Sequence, residues 1–128
     1  MQAYLLVFLG AGIGGALRHG VNVGCARFCG TAFPWGTLTV NVVGSFLMGV
    51  IAGWLAFKAG AGWNQPLRLF LTTGILGGFT TFSAFSLDAM LIWERGEAGL
   101  AFGYVGASVL LSIAGLAAGL ALVRAMAA

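Results

Sequence analysis

The chain has 128 residues, of which 60% are hydrophobic and 7% charged, against roughly 25% charged residues in an ordinary soluble domain. Six Lys and Arg against three Asp and Glu give a net charge of +3, too sparse and scattered for a nucleic-acid surface. The sequence carries no Walker loop, dinucleotide fingerprint, zinc motif or nucleophile elbow. With a mean hydropathy of +1.02, it reads as an integral membrane protein and not an enzyme.

Four apolar spans can be drawn, at about 3–26, 36–57, 67–93 and 99–123. At about 1.5 Å per residue each is long enough to cross a hydrocarbon core of roughly 30 Å. They use nearly the whole chain, so the expected fold is all-α: a single transmembrane domain, 1–128, of four helices. The first span lacks the basic start and small-residue cleavage site of a secretory signal, and is kept as structure. Pro34-Trp35-Gly36, Asn64-Gln65-Pro66 and Glu94-Arg95-Gly96-Glu97 read as turns between spans, because Pro and Gly punctuate and charges stay in water.

The first span holds Arg18, and a basic residue inside a membrane span is a functional hypothesis by default. It has three possible roles: snorkelling to the interface, pairing with Asp88 or Glu94, or drawing anions into a vestibule. His19 beside it reads as packed or interfacial. Cys25 and Cys29, four residues apart, share a helical face with poor disulfide geometry, and a metal site there is not expected. Gly12, Ala16, Gly20 and Gly24 form a ridge of small residues, as do Gly49 with Gly53 and Gly115 with Gly119. Such ridges let helix backbones approach, within one chain or between two.

The second span places Thr37, Asn41 and Ser45 at four-residue spacing, and the fourth does the same with Tyr104, Ser108 and Ser112. Each trio lies on one helix face. A polar group in hydrocarbon without a partner costs several kcal/mol, so both faces turn toward protein or water. Each hydroxyl by itself reads as an interhelical hydrogen bond. Two stripes of hydroxyls and one amide, with no acidic residue among them, suit an anion better than a cation.

The third span is interrupted by Gly77-Gly78-Phe79-Thr80-Thr81-Phe82-Ser83-Ala84-Phe85-Ser86. Paired glycines and paired threonines weaken an α-helix, and the freed backbone groups then need partners in protein, ions or water. This predicts a helix broken in mid-membrane. Phe79, Phe82 and Phe85 recur every third residue, a pattern that packing alone produces. Turned edge-on, however, their rings present positive edges that can solvate a small anion without trapping it.

Orientation follows an excess of Lys and Arg on the cytoplasmic side. With the amino terminus inside, Lys58, Arg68 and Arg124 fall on that side and Arg27 and Arg95 on the other, with Arg18 buried nearby. The bias is one charge. A single topology with a small bias and a pair of oppositely inserted copies both remain open. Partnering has a physical motive, since four helices leave little room for an aqueous path through one bundle.

Three stretches together give the chain a resemblance to the Fluc (CrcB) family of fluoride channels over nearly its whole length. They are Gly14-Gly15-Ala16-Leu17-Arg18, the run from Gly36 to Phe46 around Asn41, and the run from Gly74 to Ser86. The departures, at His19, Ala84 and Asp88, are local. The resemblance implies a passive fluoride channel that exports cytoplasmic fluoride across a bacterial plasma or inner membrane. It also implies an antiparallel, dual-topology homodimer in membrane lipid, with two pathways that each use both subunits. Phe82 and Phe85 match the family's pore phenylalanines, Asn41 its pore asparagine, and Tyr104, Ser108 and Ser112 its polar track. Ser83 joins that pathway, and Arg18 is assigned a vestibule or structural role. A structural Na⁺ is implied at the dimer centre, held by backbone carbonyls at positions matched by Gly77 and Thr80. The rival functions are a small proton-coupled multidrug-type exporter, which needs a carboxylate that the first span lacks, and a scaffold subunit with no flux of its own.

Overall fold

The computed structural model describes residues 1–57 and 65–127. Lys58 and Asn64, which the sequence analysis assigns to the connection between the second and third spans, lie outside the described residues. The described chain is helical: α1 (Gln2–Cys29), α2 (Trp35–Phe57), α3 (Gln65–Arg68), a π-helical segment (Leu69–Leu76), α4 (Gly77–Phe79), α5 (Phe82–Glu94) and α6 (Ala98–Ala127). Four stretches, Gln2–Cys29, Trp35–Leu55, Gln65–Glu94 and Ala98–Met126, are long and apolar enough to cross a membrane, which makes this a multi-pass membrane protein.

Each helix reaches past the apolar span that marks it. Trp35 and Gly36 form the first turn of α2, and Gln65 and Pro66 the first turn of α3, where the expectation was turns. The reason is that Pro fits the first helical turn, whose N–H groups have no intrahelical partner, and its φ is already helical. The last connection is a tight turn at Arg95–Gly96, with Gly96 at φ 85°, a conformation that costs glycine little.

Between lipid-embedded helices apolar burial gives little driving force, so close backbone contact and hydrogen bonds must hold the bundle. Glycines provide the contact in two pairs. A side chain at Gly10 would meet the Phe70 carbonyl at 2.8 Å, one at Gly14 would strike the Ile75 carbonyl, and one at Gly78 the Ala11 backbone, which joins α1 to the third span. On the other side Gly49 sits against the Leu116 carbonyl and Gly119 against that of Phe46, which joins α2 to α6. The α1 ridge expected from Gly12, Ala16, Gly20 and Gly24 is different: a side chain at Gly12, Gly20 or Gly24 would meet nothing within 4 Å among the described residues. Gly10 and Gly14, a quarter-turn to a half-turn away around the helix, make the contact.

The third span also departs from expectation in where it leaves the helix. Gly77 is helical, at φ −62° and ψ −37°, and Gly77–Phe79 form α4. The extended residues are Thr80 (ψ 159°) and Thr81 (φ −154°). Gly78 is accounted for by its closeness to Ala11 and not by conformational freedom.

Candidate functional site

The chain leaves α4 and enters α5 through two threonines that satisfy their own neighbourhood. The Thr80 amide and hydroxyl both donate to the Leu76 carbonyl, at 3.0 and 2.9 Å. Thr81 is the N-cap of α5: its hydroxyl accepts from the Ala84 amide at 3.1 Å, the usual use of threonine at this position. The Thr81 backbone is then held from α2. Its N–H donates to Asn41 Oδ1 at 2.8 Å, and its carbonyl accepts from Asn41 Nδ2 at 3.0 Å. One amide side chain thus closes both polar groups of the extended residue, as buried backbone groups require.

This pairing has a consequence on the α4 side. In an uninterrupted helix the Gly77 carbonyl would accept from the Thr81 amide and the Thr80 carbonyl from the Ala84 amide. Those amides go instead to Asn41 Oδ1 and Thr81 Oγ1. Gly77 and Thr80 are therefore among the residues whose carbonyls lose the expected donors.

Beside the two threonines lies a cavity of about 380 Å³, with Asn41, Gly44, Ser45 and Met48 of α2, Thr80 and Thr81, Phe82 and Phe85 of α5, and Ser108 and Ser112 of α6 among its lining. No lining residue is charged. Of the sequence-predicted pathway residues, Asn41, Phe82, Phe85, Ser108 and Ser112 meet here. The two rings lie 5.5 Å apart, tilted by 49°. Phe85 is 8% exposed and Phe82 77%, so one ring belongs to the core and the other stands out from the chain.

Ser108 carries the clearest chemical signal. It is 5% exposed, and its Oγ has no hydrogen-bond partner. A buried hydroxyl left unpaired costs about 1–3 kcal/mol, and such a group in a native structure asks for a ligand or a water. Asn41 adds a second donor, since an amide has two N–H bonds and one is engaged with Thr81.

The other predicted residues fall outside the cavity lining. Ser83 is exposed, its Oγ 3.4 Å from Thr81 Oγ1. Tyr104 is fully buried, packed 5.3 Å from Phe85, and its hydroxyl donates to Asp88 Oδ2 at 3.3 Å. Thr37 is buried near the start of α2. Arg18 is half-buried one turn beyond Gly14 and pairs with neither Asp88 nor Glu94 within the described residues. Cys25 and Cys29 are free thiols. Sequence reasoning missed Thr81 as the cap and the partner of Asn41, although a Thr just before an amphipathic run is an N-terminal signal. Ser45, read from the sequence as part of the Asn41 stripe but not assigned to the pathway, lines the cavity.

A family model described as CrcB-like protein, Camphor Resistance (CrcB), matches residues 5–120. The chain is 61% identical over 121 residues to fluoride-specific ion channel FluC 2 of Nitrobacter hamburgensis, covering 94% of this chain and 96% of that protein. It is 62% identical over 125 residues to fluoride-specific ion channel FluC of Rhodopseudomonas palustris strain BisB5, covering 98% and 99%. A protein of the same name from Granulibacter bethesdensis is 56% identical over 126 residues, covering 98% of each chain.

Proposed function

This chain belongs to the CrcB-like family, and on that premise we propose that it is a passive, fluoride-specific ion channel that exports cytoplasmic fluoride from a bacterial cell. The observation that carries this reading is the uncharged cavity on which Asn41, Phe82, Phe85, Ser108 and Ser112 converge. Fluoride is a small acceptor that needs donors to replace its water, yet fixed positive charge would hold it too long to conduct. Hydroxyls from α6, one N–H of Asn41 and the positive ring edges of Phe82 and Phe85 supply moderate binding at several points. The potential does the rest. A negative-inside membrane drives an anion outward by about 2.3 kcal/mol per 100 mV, so neither a nucleotide nor a proton couple is required. Asp88 accepts from Tyr104, and no carboxylate lines the cavity among the described residues, which does not favour proton-coupled export.

The functional unit in this reading is an antiparallel, dual-topology homodimer with two pathways. Its support is threefold: a charge bias too small to fix one orientation, a Phe82 ring that stands out of its own chain, and open glycines at Gly12, Gly20 and Gly24. Phe82 then faces the partner's half of the pathway. Arg18, which forms no ion pair among the described residues, raises anion concentration at a vestibule. The extended residues Thr80 and Thr81 lie at mid-membrane. The carbonyls of Gly77 and Thr80 fit a structural Na⁺, since unwound backbone oxygens suit a hard monovalent cation and both have lost their helical donors. A bound Na⁺ would supply a partner for those otherwise unpaired carbonyl oxygens. Two carbonyls are an incomplete shell, so a second copy contributes the remainder.

Purified protein in liposomes tests the reading. A fluoride electrode is expected to register efflux on release of the potential, and a chloride electrode no comparable signal. A pure, dimeric protein that passes no fluoride would overturn it.

A further inference from the structure

Asn41 and Gly44 stand three residues apart on one face of α2, and both lie on the cavity wall. That face meets the two extended residues of the third span in two different ways. Asn41 takes the Thr81 backbone through its amide. Gly44, which is buried, takes Thr80 through its lack of a side chain: a Cβ built there would strike the Thr80 methyl carbon, Cγ2. Gly14, Gly49, Gly78 and Gly119 face the backbone of a neighbouring helix, and closeness between helices is their use. Gly44 faces one side-chain methyl, at the place where the helix is broken.

Thr80 is not free to turn that methyl elsewhere. Its hydroxyl donates to the Leu76 carbonyl at 2.9 Å, and a β-branched side chain whose oxygen is fixed has one place left for its methyl. Nor is the backbone free to step aside. The Thr80 amide is held by the same Leu76 carbonyl at 3.0 Å, and the next residue is held by Asn41. A methyl at position 44 would therefore break one of these bonds or push the Thr80–Thr81 step as a unit. Because α5 begins at Phe82, the push passes directly to Phe82 and Phe85, the two rings on the cavity wall.

We infer that Gly44 is a positioning residue of the ion pathway: its bare Cα seats the Thr80 methyl, and this fit, together with the Asn41 clamp, sets where α5 begins and where Phe82 and Phe85 stand. The inference rests on the reading of this chain as a fluoride channel whose path runs through the cavity. The two positions share one methyl-sized space. With Cγ2 removed, the atoms nearest a Gly44→Ala methyl are Phe79 Cδ2 at 3.3 Å and Thr80 Cβ at 3.7 Å, so Thr80→Ser makes room for it.

Fluoride efflux from liposomes, scored per unit of monodisperse full-length protein, and unfolding midpoints in detergent together test this. Gly44→Ala should cut the initial efflux rate by at least about tenfold. In a Thr80→Ser background, which keeps the hydroxyl and deletes the methyl, the same change should cost no more than about twofold, as coupled neighbours require. Gly53→Ala, crowded by Val123 Cβ at 3.2 Å but outside the cavity lining, should leave efflux within about twofold of wild type even where it lowers the midpoint. A Gly44→Ala loss that is the same in both backgrounds, or that Gly53→Ala matches, overturns the proposal. If Gly44→Ala yields no folded protein, recovery of folded protein in the Gly44→Ala/Thr80→Ser variant supports it and failure to recover overturns it. If Thr80→Ser alone passes no fluoride, the midpoints carry the comparison: a smaller loss after Thr80→Ser supports the proposal, and an equal loss overturns it. Wild-type liposomes without fluoride efflux overturn the channel reading itself, and the midpoints then decide whether Gly44 seats Thr80.

Discussion

Asn41 and Ser108 line the same cavity and differ in what they do there. Asn41 is bound on both sides of its amide to the Thr81 backbone, whereas the Ser108 hydroxyl is buried beside Tyr104 and holds no backbone group. Asn41→Ala should therefore lower stability by about 1–3 kcal/mol, because two backbone groups lose their partner, and should abolish fluoride flux with the loss of the α5 entry geometry. Ser108→Ala should leave stability within about 0.5 kcal/mol of wild type, since no bond is broken. Its flux should nonetheless fall by roughly tenfold, the effect of about 1.5 kcal/mol from one hydrogen bond to a charged ligand. Unfolding in detergent and liposome efflux measure the two quantities separately. A Ser108→Ala protein with unchanged flux would remove Ser108 from the pathway. The sequence pattern put both residues on inward faces correctly, as four-residue spacing must. It did not distinguish the residue that holds the backbone from the one that does not, because that depends on whether Thr81 is extended and within reach.

Among the elements, the two helix pairs are knitted by glycines whose role is closeness. Gly14 against the Ile75 carbonyl and Gly49 against that of Leu116 leave no space for a methyl group. Gly14→Ala should cost about 1–3 kcal/mol through overpacking. Gly99→Ala, where nothing lies within 4 Å, should be neutral or stabilising by up to about 1 kcal/mol from helix propensity. Equal unfolding midpoints for the two variants would contradict the packing described. Four apolar stretches were legible as helices from length and hydropathy alone. Which glycines face which helix was not, because a chain with 22 glycines offers several equally spaced ridges and only the assembled bundle selects among them. The interruption in the third span shows the same limit. The run from Gly77 to Thr81 was legible as weak helix, yet the glycines stay helical and the threonines do not, because Asn41 from another helix rewards extended backbone at Thr81.

For the whole molecule, the proposed dual topology makes a prediction at Cys29, which is exposed at the end of α1. In cell-derived vesicles of a Cys25→Ser protein, a membrane-impermeant thiol reagent should modify about half of the Cys29 population from each side, as a near-zero charge bias implies. Modification from one side only would exclude antiparallel copies. Light scattering of the detergent-purified protein should return twice the chain's mass. The amino-acid sequence by itself determined the membrane class, the helical spans and the uncharged polar faces, because hydropathy and helical period are local properties that survive any packing. Only the tertiary structure decided that Asn41 closes on Thr81, that Ser108 joins Asn41 at one cavity, and that Phe33 packs edge-on to Tyr104. Each of these depends on atoms from helices distant in sequence coming within a few ångströms, and the spacing of residues along one helix carries no information about that distance.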